Sequence, residues 1–329
     1  MSSDANAHQR PAVGISGKST ADAWFQRILA LAGATVLIIL AAMLISTAID
    51  AWPVFRHAGW SFVVSAQWDP GISRSEITGD YGALSFILGT LVTSGIALLI
   101  AVPLAIGCGL FLTNIAPSAI RRPLTYAIDL LAAIPSVVYG LWGLLFFVPI
   151  FVRPANKFIA DTLGEVVPFL SGPVVTYNLA SAGIVLAIMV LPIITAVTRE
   201  VMSRTPVAEI HGAYALGSTR WEMMRDIVLP RTRPGIIGAT MLGLGRALGE
   251  TIAVAMLIGG SQQMPTTLFQ GGQSMAGVIA ITFQEAAPEN IKALLGVGVV
   301  LFLITIIVNI MARLVIWATG GRLAGDAAV

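Results

Sequence analysis

Charge is scarce in this sequence. Lys, Arg, Asp and Glu together make up 11% of its 329 residues, whereas a soluble domain carries about 25%. That deficit excludes an ordinary soluble globular chain. Cysteine is nearly absent as well. Cys108 is the only one, so no intrachain disulfide can form, and inside its apolar run it reads as a small core residue. The three histidines, His8, His57 and His211, are scattered and form neither a metal set nor a catalytic set. No nucleophile elbow and no H-E-x-x-H pattern occurs, which removes the usual intramembrane hydrolase chemistries. Segments of about 10 residues with strict apolar–polar alternation are missing too, and this excludes an outer-membrane barrel.

Apolar length is abundant. The chain is 56% hydrophobic with a mean hydropathy of +0.86, and its apolar runs reach the roughly 20 residues that span a bilayer as helix. The fold class expected is an all-α polytopic membrane protein with six transmembrane helices. The spans run from Ile28 to Ile49, Leu84 to Leu112, Leu124 to Phe151, Leu179 to Val197, Ile236 to Ile258 and Ile291 to Trp317. Pro103, Pro135, Pro149 and Pro192 fall inside them, where neighbouring helices can re-satisfy the freed carbonyls. Residues 1–26 lack an apolar core and read as a flexible cytoplasmic tail, not a signal peptide. Residues 27–80 hold the first span and an outer loop. Residues 81–317 form a core of five spans, and residues 318–329 a C-terminal tail.

Lys and Arg orient the chain. The two tails, the loop after the second span and the loop after the fourth carry thirteen of them, against five on the opposite side. Both termini are therefore expected in the cytoplasm, with the basic loop 199–235 beside them. The longest outer loop, Asp50 to Tyr81, carries Trp52, Trp60 and Trp68. It either receives a soluble partner or caps the bundle.

Loop 199–235 is orderly. Pro206 suits a helix start, Val207 to Leu216 reads as a short helix, and Gly217 as its break or cap. Ser218 or Thr219 can cap a second helix bearing Trp221, Met223, Met224 and Ile227, which Pro230 and Pro234 are expected to end. Two short helices held against a membrane make a knob for a partner.

The spacing of Gly217, nine residues, then Ile227-x-Leu229-Pro230 resembles the coupling loop of permease subunits of ATP-binding-cassette importers. Those loops carry Glu-Ala-Ala where this chain has His211-Gly212-Ala213, and the nearest acid is Glu209. The resemblance narrows at Ala133 to Gly143, at Gly243 to Thr251, and at Gly82-Ala83-Leu84 followed by Gly89-Thr90-Leu91. These segments are similar to phosphate-specific importer permeases, and the long leading span with the first outer loop resembles the C-subunit type of that family. The resemblance implies a type I importer (MetI-like) permease fold in a bacterial inner membrane. It also implies pairing with a homologous A-type permease, two ATP-binding subunits docked inside and an extracytoplasmic phosphate-binding protein docked outside. Glu209, His211, Ala213, Gly217, Arg220, Trp221, Ile227, Leu229 and Pro230 would then form the ATPase coupling surface.

Arg246 and Glu250 lie one helical turn apart inside the expected fifth span. An isolated arginine at a helix centre costs about 2.5–3.5 kcal/mol on insertion scales. Two readings follow. Either the pair locks helices together as an i,i+4 ion pair, or Arg246 offers its guanidinium fork to a crossing oxyanion while Glu250 sets its position. The resemblance implies the second, with Thr251 beside it. Ser136 and Tyr139 flank a proline and could add hydroxyl donors, though hydroxyls that only pack helices are common.

The string Gly14 to Ser19 looks like the end of a phosphate-binding loop. Ala12 stands where glycine is required, and no strand precedes it. No ATP site is therefore expected here: the chain needs no cofactor of its own, and ATP and magnesium would be bound by the partner ATPase. The basic residues are accounted for by topology, so nucleic acid is not an expected partner, and membrane lipid is. Two rival readings stay open. One is a permease for sulfate or molybdate; the other is a self-contained ion-coupled anion carrier using Arg246 for substrate and Glu250 for a proton.

Overall fold

The computed structural model describes residues 20–69 and 79–325. The Gly14–Ser19 string, most of the expected N-terminal tail and Arg74 lie outside the described residues. Two compact units divide between Ser46 and Thr47. Both are crossed by one helix, α1 (Thr20–Ala58), which contains Pro53. It begins before the expected tail ends and runs through the first part of the expected outer loop. From Ile28 to Ile45 it is apolar on nearly every side, with Leu29, Leu37 and Ile38 all exposed. A helix without a polar face suits lipid.

In the second unit α2 (Ser61–Val64) follows. A two-residue antiparallel pair, β1 (Trp68–Asp69) and β2 (Asp80–Tyr81), then leads into α3 (Leu84–Leu110). Trp68 meets Tyr81 and Phe86 edge to face, within a core that also buries Val54, Phe62 and Met275. Trp68 therefore caps the bundle, whereas Trp52 and Trp60 stay exposed.

A wide i→i+5 turn, Phe111–Ile115, ends α3. The expected third span is not one helix. It breaks at Ile134–Pro135 into α4 (Ser118–Ala133) and α5 (Ser136–Trp142). The residue before a proline disfavours helical backbone, and Ile134 is extended. From Ser136 the chain stays helical through a wide segment, Gly143–Val152, and α6 (Arg153–Leu163). The crossing segment is thus Ser136–Leu163, not 124–151.

α7 (Leu179–Ser203) is the central element. The Asn178 side chain accepts from the Ser181 N–H at 2.8 Å and starts it. It buries Leu186, Val190 and Ile194 against Ala97, Ala101 and Ala105 of α3. Small residues at that spacing let backbones approach where no water drives association. A methyl on Gly183 would lie 2.7 Å from Ile96 Cβ, and one on Gly243 2.5 Å from Ile194 Cδ1.

The knob follows as α8 (Val207–Ala215) and α9 (Arg220–Met223). Pro230 and Pro234 do not end the second helix. A wide turn, Met224–Val228, carries it directly into α10 (Leu229–Leu248), with Pro230 in the first turn and Pro234 just inside. The wide i→i+5 turn immediately before Pro230 shifts the hydrogen-bond register at the point where the proline supplies no N–H. The expected fifth span then breaks at Gly249–Thr251, and α11 (Ile252–Leu257) resumes it. A short buried helix, α12 (Met275–Thr282), precedes α13 (Pro288–Gly325), which runs beyond the expected end of the last span. Among the described residues five helices are long and apolar enough to cross a membrane: 24–58, 84–115, 136–163, 179–203 and 288–314. The expected span missing from these is the fifth, the broken pair α10–α11.

Candidate functional site

The knob is built by two capping devices read residue by residue. Gly217 has φ +87°. Its N–H donates to Tyr214 O at 3.0 Å, and the Ser218 N–H donates to Ala213 O at 3.1 Å. This is the pair of bonds by which a left-handed glycine closes a helix. Two residues on, Thr219 accepts from the Glu222 N–H at 3.3 Å, while Glu222 accepts from the Thr219 N–H at 2.7 Å. That reciprocal box starts α9. Its backbone bond, ahead of the bond from the Thr219 hydroxyl, holds the Glu222 carboxyl below the ordinary range. Of the two expected caps, Thr219 serves and Ser218 does not.

The knob is anchored from beneath. Ala213, Met223, Met224 and Val228 are buried with Leu110, Met202 and Ile236, and Ile210, Ile227 and Leu229 pack on them. Ile227 and Leu229 of the coupling pattern therefore hold the knob to the bundle. Pro230 is half-buried in the first turn of α10. Glu209 is not free: it pairs with Arg231 at 3.1 Å, tying α8 to α10. In sequence Arg231 reads only as one of the thirteen orienting charges. Outward the knob shows Val207, His211, Tyr214, Leu216, Arg220 and Trp221. The displayed face is apolar and aromatic, with the histidine at its middle where an acid was expected.

The second part of the site is the break in the α10–α11 helix. Arg246 lies in the last turn of α10 and is exposed. Glu250 is 7% exposed, and its carboxylate accepts from the Ala253 N–H at 3.3 Å. No ion pair joins the two, and among the described residues Arg246 has neither an ion pair nor a hydrogen bond. The i,i+4 rule assumes a continuous helix. The break at Gly249 removes that continuity and turns Glu250 to the start of α11. Thr251 Oγ1 donates to Gly249 O at 3.2 Å across the break.

The break is seated on α5. A methyl added to Gly140 would fall 2.9 Å from Ala253 Cα and 3.0 Å from Met256 Sδ. The Ala133–Gly143 and Gly243–Thr251 segments, distant in sequence, lead into one contact. The Tyr139 hydroxyl is engaged there, donating to Leu131 O at 2.9 Å across the Pro135 break. Ser136 is half-buried, and its hydroxyl makes no hydrogen bond among the described residues. It is the available donor of the two. The third segment is structural: Gly89 lies directly against the Gln273 carbonyl, and Thr90 Oγ1 accepts from the Met275 N–H at 2.9 Å.

On its other side the end of α10 borders a groove of ≈ 440 Å³ shared with α13. Gly245 and Gly249 form one wall, and Thr305, Asn309 and Arg313 edge the other. In sequence only Arg313 stands out, as a topology charge, although the spacing of four places all three on one helical face.

Comparison with known proteins gives the family and the fold. Residues 101–316 match the family described as binding-protein-dependent transport system inner membrane component. The chain is 45% identical over 295 residues to the phosphate transport system permease protein PstC of Haemophilus influenzae, covering 89% of this chain and 92% of that one. It is 38% identical over 306 residues to the protein of the same name from Mesorhizobium japonicum, covering 92% and 91%. In fold it is similar to a chain of a bacterial alginate ABC transporter solved with a periplasmic protein bound to alginate pentasaccharide. The TM-score is 0.58 at 20% identity, over 90% of this chain and 96% of that one. An inward-facing methionine ABC transporter, MetNI, gives a TM-score of 0.52 at 17% identity, over 71% and 94%.

Proposed function

Because the chain belongs to the phosphate transport system permease family, itself part of the inner-membrane components of binding-protein-dependent transport systems, we propose a division of labour among its parts. The protein is the permease subunit of an ATP-driven phosphate importer of a bacterial inner membrane. It is a transport subunit, not an enzyme, and it works with other components of that transporter.

The finer assignments are ours. The exposed face of Val207, His211, Tyr214, Leu216 and Trp221 docks one of two ATP-binding subunits, which hold ATP and magnesium. A homologous A-type permease supplies the other half of the path and docks the second ATPase. A phosphate-binding protein delivers substrate from outside, and both termini lie in the cytoplasm. When the ATPase pair closes, the knobs are drawn together. Because α9 runs unbroken into α10, that displacement reaches Arg246. Its free guanidinium matches two phosphate oxygens at once, and Ser136, whose hydroxyl is unengaged, is the further donor assigned to the path, while Thr251 spends its own on Gly249 O. Glu250 does not neutralise Arg246; it holds the start of α11, which fixes the geometry of the break.

The carrying observation is that one continuous helix joins the capped knob to an arginine without a partner. The test is phosphate uptake in cells stripped of other phosphate carriers, comparing wild type with Arg246→Gln at matched membrane levels. Lost uptake with the complex still assembled is the expected result. Unchanged uptake removes Arg246 from the path.

A further inference from the structure

A second polar site lies far along the chain from Arg246, at the root of the knob. A cavity of ≈ 360 Å³ opens between the end of α3, α4, the last turn of α7 and the start of α8. Arg121 and Arg199 line it, with Thr113, Thr125 and Thr205. Its polar atoms are not used up. Thr205 is 6% exposed, and its Oγ1 has no hydrogen-bond partner. Arg199 Nη1 is buried without a partner. The other end of the same guanidinium reaches Asp129 only at 3.9 Å. Arg121 spends one bond, from Nη2 to Ala116 O at 3.0 Å, and keeps its other donors. Buried donors without partners are rare in folded proteins and call for an occupant.

We propose that this cavity binds a phosphate group, either inorganic phosphate or the headgroup of an anionic phospholipid. The chemistry fits: two guanidinium groups face a neutral hydroxyl set, and Arg matches phosphate oxygens through paired N–H bonds. Among the described residues the only carboxylate within ion-pair distance of Arg199 is Asp129, itself half in solvent, since the adjacent Glu200 is paired with Arg204. The position gives the site a role. Val207 and Ile210 of α8 border the same cavity, so an anion held by Arg121 and Arg199 fastens the knob to α4 and α7. The site senses phosphate groups at the knob, independently of whether Arg246 carries substrate.

The assembled importer, without its binding protein, is placed in nanodiscs of phosphatidylcholine alone or with phosphatidylglycerol. Amide exchange is then followed across residues 203–212. With inorganic phosphate at about ten times its Kd, opening of this segment falls roughly tenfold. Protection by phosphate in plain phosphatidylcholine supports the site with free phosphate as its occupant. Protection only with phosphatidylglycerol supports it with a lipid headgroup. Arg199→Gln and Thr205→Val should abolish the protection, and Arg246→Gln should keep it. Thr205→Val is the decisive variant, because its hydroxyl has no protein partner to lose and the fold should tolerate the change. No protection from either source, or full protection in Thr205→Val and Arg199→Gln alike, overturns the proposal.

Discussion

Gly140 of α5 lies so close to Ala253 of α11 that a methyl on the glycine would stand 2.9 Å from the Ala253 Cα. The obstacle is backbone, so a side-chain rotation cannot relieve it. Gly140→Ala should destabilise the bundle by about 1–3 kcal/mol, the usual cost of overpacking, and lower the amount of protein in the membrane. Ala253→Gly in the same chain should not restore it, because the Cα that blocks the methyl stays in place. Immunoblots of membranes with thermal melts in detergent read both effects.

At Gly217 the constraint is conformational, not spatial. Nothing lies within 4 Å of the position a side chain would take, yet φ is +87°. Gly217→Val should cost roughly 1–2 kcal/mol for an L residue in left-handed backbone, loosen the end of α8 and reduce co-purification with the ATPase. Gly217→Asn, which tolerates this backbone, should co-purify nearly as wild type.

Arg246→Lys separates charge from shape. Lysine keeps the charge but loses the planar fork. Uptake should fall roughly tenfold, the equivalent of one lost charge-assisted bond, while membrane levels hold. Uptake equal to wild type would show that a point charge suffices.

Glu250 is predicted to act through α11. Glu250→Gln retains an oxygen able to accept from the Ala253 N–H and should keep normal membrane levels. Glu250→Ala leaves that donor without a partner, costs about 1 kcal/mol and should lower them. Equal levels for the two variants would remove the capping role.

The Thr219–Glu222 box sets a pH dependence. The Glu222 carboxyl is held below its ordinary range, first by the backbone N–H of Thr219. A depressed carboxyl stabilises the fold above its unfolded pKa, and this is lost as pH falls through the folded value. Exchange protection at residues 219–224 should therefore hold at neutral pH and fade at acid pH below the ordinary carboxylate range. Glu222→Gln should remove the acid-dependent step.

The knob was legible because its signals are local. A glycine cap at Gly217, a threonine cap at Thr219 and a Pro before Val207 act within a few residues, and all three are found, whereas the Glu222 half of the Thr219 box is an addition of the structure. The breaks at Ile134 and Gly249 were hidden because apolar length reports on lipid, not on backbone continuity. An unbroken apolar run looks the same whether or not a buried carboxylate such as Glu250 has taken a free N–H. The Arg246–Glu250 pair failed for that reason. The roles of Ile227 and Leu229, the Glu209–Arg231 pair and the Thr90–Met275 bond needed three dimensions, since each depends on what packs opposite.

The unbroken course of residues 220–248 makes the knob and the Arg246 end a single stiff arm. At 1.5 Å per residue it is roughly 40 Å long, so a tilt of about three degrees at its foot sweeps its tip by about 2 Å. Its two soft places, the wide turn at Met224–Val228 and Pro234, both sit near the foot. Bending there is geared up at the far end: a small stroke at the docking face becomes a displacement comparable to the length of a hydrogen bond where the guanidinium waits.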